Sequence, residues 1–384
     1  MIAFTGARII SMGPSGLIEN GTLLVDGEYI KAVGQDIPLP EGCQRIDVTG
    51  KVITPGFIDG HTHIGLEEEI YRVEGDDVNE VSDPLTPQLQ AVDGVNFADL
   101  AFQDALRGGV TRAMSMPGSA NIIGGQAVFL KLFAPTAAQM VYRQPWGLKA
   151  ALGENPKRVY SGQKKTPMTR MANASLLREA LRRAADRLDK EVEGKDDDKY
   201  KLAPLTRVLR GEMPVLLHAH RADDILTALR IKDEFHINLM IQHGTEAHLV
   251  ADELVKRKVP VFLGPLLVNR AKVEMKAVSF KNARRLKEKG VEFCLITDHP
   301  VIPVEHLRVC AALAVREGLD EETALRAITL QPAHLLGVAD EIGSLSPGKR
   351  ADLVVFDGHP FDYRSRVNLA MVDGLIWREE HEQG

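Results

Sequence analysis

The sequence predicts an α/β fold, a (β/α)₈ TIM barrel with a small composite β-sandwich domain built from both termini. Two observations support this prediction. In the middle of the chain, apolar β-branched segments alternate with amphipathic helical segments, and strands this apolar are typical of a parallel sheet covered by helices. At both ends, short strands alternate with turn dipeptides such as Asn-Gly and Asp-Gly. About eight strand segments fit a closed barrel with insertions.

The two ends of the chain are expected to build one small β domain, with the barrel inserted between them. The β domain comprises residues 1–54 and 340–384, and the barrel spans residues 55–339. Strands are predicted at ARIIS, GTLLVDGEYIKAVG and CQRIDVTGKVITP near the start, and within GSLSPGKRADLVVFDGHP and VNLAMVDGLIW near the end. The common pattern of short strands and turns links these two regions.

The barrel elements follow in order along the chain. Strands are predicted at FIDGHTHI (57–64), TRAMSMP (111–117), GLKAALG (147–153), MPVLLHAH (213–220), INLMIQHG (237–244), VPVFLGP (259–265) and EFCLITDH (292–299). Apolar residues at helical spacing predict helices over 91–107, across most of 154–213 and over 320–336. The glycine-rich GSANIIGGQA (118–127) lacks the spacing of a phosphate loop, so we expect it to form a loop over the active site.

Composition excludes several classes of function. The 384 residues include 47 basic and 53 acidic side chains, a net charge of −6. This balance argues against nucleic acid or an anionic membrane as the partner, because both favour a basic surface. No apolar run approaches the roughly 18 residues of a membrane span, and no signal-peptide pattern or CxxC pair is present. We therefore expect a cytoplasmic protein. We also expect it to act on a small molecule and to form a homo-oligomer, although composition does not decide either point.

Histidines at strand ends predict a metal site. His61 and His63 stand at i and i+2, so both imidazoles point to the same side of a strand. His218 or His220 ends a later apolar strand, His243 ends the next, and Asp298 ends the last. These carboxyl ends are where barrel enzymes place their functional groups. Neutral imidazole is the commonest protein ligand of zinc and similar divalent ions.

Several sequence motifs in these segments are also recognisable. PGFIDGHTH, LLHAH, MIQHG, LITDHP and ITLQPAHLLGVADEIGSLSPGKRADLVVFDGHP resemble the amidohydrolase superfamily of metal-dependent hydrolases, and most of all its imidazolonepropionase-related branch. The resemblance covers nearly the whole chain. It implies a metal centre with one or two divalent ions, zinc being the expected metal, whose ligands are His61, His63, His218, His243 and Asp298. In this comparison His218 is preferred over His220 as the ligand, which leaves His220 to support a ligand or to face the substrate.

The ligand that bridges two metals has three alternatives. Lys149 lies inside the apolar segment GLKAALG, where an unpaired ammonium is costly. Superfamily members with two metals usually carry a carboxylated lysine on this strand, so Lys149 is the preferred ligand. Glu154, five residues further on, is the competing ligand, because some relatives use a glutamate. The third alternative is a site with one metal.

The resemblance implies hydrolysis of a C–N bond in a cyclic amide, an N-acyl amino acid or a dipeptide. Asp298 would take the proton of the attacking water and pass it to the leaving nitrogen. Glu246 and His248 follow a ligand strand, and each either moves protons, binds substrate or serves only the loop. Arg221 binds a substrate carboxylate or pairs with a neighbouring aspartate.

Three further interpretations stay open. The basic segment 154–171 is either a lid that recognises an anionic group or a solvated loop. The enzyme could instead be a deaminase of a cyclic amidine, which uses the same scaffold with one metal and normally lacks a bridging lysine. The third interpretation is a non-catalytic scaffold protein, but such members usually lose metal ligands, and this chain keeps them.

Overall fold

The computed structural model describes residues 1–70, 73–189 and 197–379. Its strands are β1 (Ile2–Ile10), β2 (Leu17–Asp26), β3 (Tyr29–Gly34), β4 (Gln44–Asp47), β5 (Val52–Pro55), β6 (Phe57–Thr62), β7 (Val110–Ser115), β8 (Ile123–Gln126), β9 (Val128–Lys131), β10 (Val141–Arg143), β11 (Leu148–Ala151), β12 (Val215–Ala219), β13 (Leu239–His243), β14 (Val261–Leu263), β15 (Phe293–Leu295), β16 (Leu353–Phe356), β17 (Val367–Val372) and β18 (Leu375–Trp377). They form three sheets, so the fold is α/β with mixed sheets.

The helices lie mostly between the strands of the middle region. They are α1 (Ala101–Arg107), α2 (Ala137–Met140), α3 (Glu154–Gly162), α4 (Arg170–Asp189), α5 (Asp197–Leu209), α6 (Ala222–Phe235), α7 (Ala251–Lys256), α8 (Lys281–Glu288), α9 (Leu307–Arg316), α10 (Glu321–Arg326) and α11 (Leu330–Leu335). Across the described ranges, no helix combines the length and the apolar character needed to cross a membrane.

Strands from both ends of the chain pair with one another. The sheet has the order β18-β17-β16-β5-β1-β2-β3, in which β16, from the end of the chain, lies directly beside β5, from its start. β4 lies off this order and pairs in parallel with the first half of β1. Alternating residues of these strands build a separate apolar core that includes Phe4, Leu23, Ile53, Val355 and Met371. The hydrogen bonds connect the eight strands into one continuous sheet. The arrangement as a two-layer sandwich stays a prediction.

The middle region contains two further sheets. One has the order β10-β9-β7-β6, and the other has the order β15-β14-β13-β12-β11-β8. Strands β11 to β15 pair in parallel, as predicted. The two sheets meet where Thr62 forms a parallel bridge with His299, and the His63 amide donates to the carbonyl of His299 at 2.8 Å.

Two strand pairs depart from the predicted parallel arrangement. β9 runs antiparallel to β7, and β8 runs antiparallel to β11. Seven residues, 116–122, connect β7 to β8, whereas a parallel connection needs about a dozen residues or more. The chain therefore turns back after β7, and four residues of the glycine-rich segment predicted as a loop (118–127) form β8.

Two predicted helices are shorter than expected. In the segment 91–107 only α1 is an α-helix, because the Asn96 side chain accepts a hydrogen bond from the Ala98 amide at 3.0 Å and holds a local turn. The segment 320–336 is divided into α10 and α11. Between them the Ile328 carbonyl accepts a hydrogen bond from the Ile58 amide at 2.8 Å. Pro332, inside α11, has no amide hydrogen to donate to that carbonyl, so the helical hydrogen bonds do not continue across residue 328.

Candidate metal centre

His61, His63 and Asp298 form the first ligand group. His61 lies in β6, His63 follows that strand directly, and Asp298 lies three residues after β15. Oδ1 of Asp298 is 3.1 Å from Nε2 of His61 and 3.3 Å from Nε2 of His63. Ligand atoms about 2.0–2.1 Å from a tetrahedral zinc ion stand roughly 3.4 Å apart. The three side chains therefore have the spacing of ligands around one cation.

His218, His220 and His243 form the second group. All three are buried, and one ring nitrogen of each lies within 4.8 Å of the others. His218 and His220 share one side of β12, and His243 ends the neighbouring β13. The ring centroid of His243 is 4.7 Å from that of His61. The two groups are consequently halves of one centre.

Hydrogen bonds at Nδ1 orient four of these five imidazoles. Where Nδ1 donates to an acceptor, as in His61, His63 and His243, the opposite nitrogen Nε2 is unprotonated and available to a metal. The hydroxyl beside Nδ1 of His220 can either accept or donate. The partners of Nδ1 are Gln242 Oε1 at 2.8 Å for His61, the Met116 carbonyl at 2.7 Å for His63, the Gly264 carbonyl at 2.8 Å for His243 and Thr245 Oγ1 at 2.7 Å for His220.

His218 is oriented differently. Its two ring nitrogens are buried and have no hydrogen-bond partner among the described residues. Nε2 lies 3.5 Å from Oε1 of Glu274, a fully buried carboxylate on the loop between β14 and α8. A buried imidazole with both nitrogens unpaired is costly unless something absent from the chain satisfies it. The side chains of the centre therefore fit a divalent metal.

Lys149 lies beside His61 of the first ligand group. It belongs to β11 and is 1% exposed. Its Nζ donates a hydrogen bond to the Pro117 carbonyl at 3.1 Å and lies 3.4 Å from Nε2 of His61. Burial lowers the pKa of this amine to about 8. A buried amine of this pKa is neutral in a sizeable fraction of molecules near pH 7.5, and a neutral amine can react with CO₂.

The protonation states of the centre suit metal binding. Burial lowers the pKa of His61 and of His220 to about 4, and that of His243 further below its ordinary value. Burial alone would raise the pKa of Asp298, but its interactions with His243, His61 and His63 hold it well below its usual range. At neutral pH His61, His220 and His243 are therefore neutral imidazoles and Asp298 is a carboxylate, the forms that bind metal.

Asp59, in β6, connects that strand to Thr297, the residue before the ligand Asp298. Its Oδ2 accepts hydrogen bonds from the Thr297 amide at 3.1 Å and the Thr297 hydroxyl at 2.5 Å, and Oδ1 accepts from the His61 amide at 3.1 Å. Two ligands have left-handed backbone: Asp298, which follows Thr297, has a φ of 58°, and His243 has a φ of 77°. Left-handed backbone is uncommon for residues other than glycine and occurs often at functional sites.

Some predicted site residues lie outside the centre. The Glu154 carboxylate accepts from the Glu274 amide at 3.4 Å, and the Glu154 amide donates to Oε2 of Glu274 at 3.1 Å. The Glu246 carboxylate accepts from the Ala222 amide at 3.0 Å, at the start of α6. These contacts engage both carboxylates away from the imidazoles.

The two predicted substrate-binding residues also have other partners. Arg221 donates two hydrogen bonds to the carboxylate of Asp223, at 2.9 and 2.8 Å. His248 lies 3.4 Å from a guanidinium nitrogen of Arg285. Neither lines the cavity next to the centre. Their roles in substrate binding stay predictions that these contacts do not support.

A cavity of about 610 Å³ opens onto the centre. His63, His218, His220 and Asp298 form its inner wall. The basic segment predicted as a lid or loop contributes α3, which presents Arg158 to the cavity. A space of this size admits a small-molecule substrate.

Three residues of the centre were not predicted from the sequence. Asp59 precedes His61 by two positions on the same strand, so strand periodicity offered a signal for it. Gln242 precedes His243 by one position, where an alternating strand points to the opposite face, so periodicity offered no signal for it. Glu274 offered none, because it lies in a loop with no motif around it.

Comparisons with known proteins agree with this geometry. The sequence profile of the amidohydrolase family matches residues 52–376. The solved structure of an amidohydrolase from Thermotoga maritima MSB8 is 42% identical, with a TM-score of 0.94, and the match covers 99% of this chain and 100% of that one. An imidazolonepropionase from Paracoccus denitrificans (strain Pd 1222) is 25% identical over 94% of this chain and 95% of that protein.

A longer relative shares the same region. Amidohydrolase tasK from Hapsidospora irregularis is 29% identical over 92% of this chain, which spans 39% of the length of that protein. The family profile covers both ligand groups of the centre, and the Thermotoga protein matches this chain from end to end. The chain belongs to the amidohydrolase family, and it is a metal-dependent hydrolase of C–N bonds.

Proposed function

We propose that this enzyme hydrolyses a C–N bond of a small molecule at a centre of two zinc ions bridged by carboxylated Lys149. The observation that supports this proposal is the position of Lys149, which is buried with its amine 3.4 Å from Nε2 of His61, a ligand of the first group. The ligands of one ion would be His61, His63 and Asp298, and those of the other His218 and His243.

The contacts of the two competing bridging residues favour Lys149 over Glu154. The amine of Lys149 reaches His61, whereas the carboxylate of Glu154 faces the backbone of residue 274. An ammonium at Lys149 would repel two cations strongly in a buried site. When the neutral amine attacks CO₂, a N–C bond forms and one proton is released, so the side chain becomes an anion that can bind both ions.

The chain's own residues account for proton transfer and substrate orientation. Divalent zinc, when bound, lowers the pKa of water and polarises a carbonyl group. Asp298 lines the cavity and directs Oδ1 toward the two histidines, so Oδ2 is the atom that accepts the water proton and returns it to the leaving nitrogen. His220 also lines the cavity. With the Thr245 hydroxyl donating to Nδ1, Nε2 of His220 carries the proton and can donate to the substrate carbonyl.

We also infer that the two middle sheets close into the predicted barrel. If β8 and β9 are counted as one bent strand, the order β6, β7, β8/β9, β11, β12, β13, β14 and β15 contains eight strands. The contacts between residues 61–63 and 298–299 support closure between the first and last of them. The division into a 1–54/340–384 domain and a 55–339 barrel, the cytoplasmic location and the homo-oligomeric state stay predictions.

The proposed activity can be tested with metal-depleted and zinc-loaded protein. Both forms are incubated with a panel of cyclic amides, N-acyl amino acids and dipeptides, and free amine or acid is measured. We expect cleavage of at least one class, present only with zinc. Release of ammonia from a cyclic amidine, with one ion per chain and no cleavage of the panel, would favour the deaminase instead.

A further inference from the structure

We propose that Arg158 and Lys272 bind a carboxylate group of the substrate, next to the His218–His220 side of the centre. The proposal deepens the proposed hydrolase function and rests on it for the identity of the bound molecule as substrate. It assigns the substrate to the acidic members of the predicted classes, the N-acyl amino acids and the dipeptides with a free carboxyl end.

Reciprocal hydrogen bonds between residues 154 and 274 hold together the two segments that carry Arg158 and Lys272. Glu154 begins α3, and Arg158 stands four residues later, on the same face of that helix. Lys272 stands two residues before Glu274, whose Oε1 is 3.5 Å from Nε2 of His218. Since each amide of the 154–274 pair donates to the other carboxylate, the start of α3 and the 272–274 segment are held together beside His218.

Both cations are available to a ligand. Arg158 is exposed, Lys272 is half-buried, and both line the cavity. Within the described ranges, neither has an acidic side chain within ion-pair distance, unlike Arg170 and Arg221, which pair with aspartates. A guanidinium fork and an ammonium with free donors form strong, charge-assisted hydrogen bonds with a carboxylate.

The acidic side chains that line the cavity belong to its His61–His63 side. Glu67 lines it near His63, and the Glu67 amide donates to the His63 carbonyl at 3.0 Å. Asp298 also belongs to that side, since it contacts His61 and His63. The carboxylates of Glu154 and Glu274 are not among the residues that line the cavity, so an anionic group of the substrate is favoured next to Arg158 and Lys272.

Binding of carboxylates without a C–N bond tests the proposal independently of catalysis. Acetate, hexanoate and 3-phenylpropanoate, each paired with the methyl ketone of the same length, are titrated into the metal-loaded full chain by calorimetry. The test variant is Arg158→Gln with Lys272→Gln. The matched control is Arg210→Gln with Lys281→Gln, which removes the same two positive charges from exposed positions outside the cavity.

We expect at least one carboxylate to bind the test variant about tenfold more weakly than the wild type. The ketones should bind both proteins equally, and the control should behave as the wild type. The proposal is wrong if no carboxylate binds, if the test variant binds carboxylates as the wild type does, or if inorganic phosphate binds more tightly than every carboxylate. If the cation-dependent binding is found but the hydrolysis panel fails, the proposed function fails and the anion site stands.

Discussion

The amine of Lys149 lies 3.4 Å from Nε2 of His61, a ring nitrogen that also lies 3.1 Å from Oδ1 of Asp298. One nitrogen therefore faces both an amine and a carboxylate in a buried site. A cation bound by His61 and Asp298 would repel an ammonium at this distance. Conversion of the amine to a carbamate removes the repulsion and adds a ligand to the centre.

Replacement of Lys149 by alanine is expected to abolish hydrolysis, because the second ion loses its bridge. A short carboxylate such as acetate or propionate can enter the vacated space, so adding one should restore part of the activity. The measurement is turnover with and without the added acid, together with a ¹³C carbamate signal in wild-type protein prepared with labelled bicarbonate. Lys281→Ala, an exposed lysine outside the cavity, serves as the control. A free amine at Lys149 in metal-loaded crystals would contradict the assignment.

Replacement of both His61 and His63 by alanine should remove at least one metal ion per chain. The two imidazoles supply two of the three ligand atoms of the first group, and the third is Oδ1 of Asp298. The fold should persist, because the core of the proposed barrel does not depend on its open end. Metal content by mass spectrometry and circular dichroism measure the two outcomes. His359→Ala, at a histidine that pairs with Glu321 outside the cavity, should keep full metal content, and full retention in the double variant would disprove the site.

Asp298→Asn tests proton transfer. The amide keeps the size of the side chain and an oxygen that faces the histidines, but it cannot accept the water proton. Turnover is expected to fall roughly 10²-fold or more, the usual contribution of a positioned acid–base group. Metal content must be measured in the same sample, so that loss of a ligand is separated from loss of the base. A variant with nearly full kcat would transfer the base role, with Glu246 as the next candidate.

The centre was predictable to the extent that its residues follow strand periodicity. His61, His63, His218 and Asp298 end or follow apolar strands, and parallel strands bring such ends together whatever the intervening loops do. Loop residues obey no such rule. Glu274 approaches His218 from a segment whose path the sequence does not specify. Glu154 faces the same segment, because its carboxylate accepts a hydrogen bond from the Glu274 amide.

The fold shows the same distinction. The apolar runs of β11 to β15 predict parallel strands, because only strands buried on both faces tolerate them. The antiparallel β8 and β9 are set by the length of the connection after β7, which periodicity does not report. Likewise, the break between α10 and α11 depends on a hydrogen bond from Ile58 to the carbonyl of Ile328, a contact between distant parts of the chain.

Glu274→Gln is expected to weaken binding of the ion held by His218. The carboxylate faces Nε2 of His218, and residues that orient a ligand typically contribute about 10–100-fold to metal affinity. The glutamine keeps an oxygen for the Glu154 amide, so α3 should stay in place. Competition with a chelator measures the affinity of each ion. Glu253→Gln, in an exposed pair with Arg257, is the matched control. Unchanged affinity in the Glu274 variant would show that His218 needs no such support.

The contact between the terminal sheet and the middle region predicts a large effect on stability. Arg112 in β7 is fully buried and donates to both oxygens of Asp352, at 2.6 and 3.0 Å, and to Asp373 at 2.5 Å. Arg112→Met leaves Asp352 buried without its cation, while Asp373 keeps two other cationic partners. Breaking one partner of a buried pair costs about 3–5 kcal/mol. Denaturant unfolding should show that loss with metal content unchanged, whereas Arg364→Met, which breaks an exposed pair with Asp362, should leave the free energy of unfolding nearly unchanged. Equal losses in the two variants would mean that this ion pair does not hold the terminal sheet to β7.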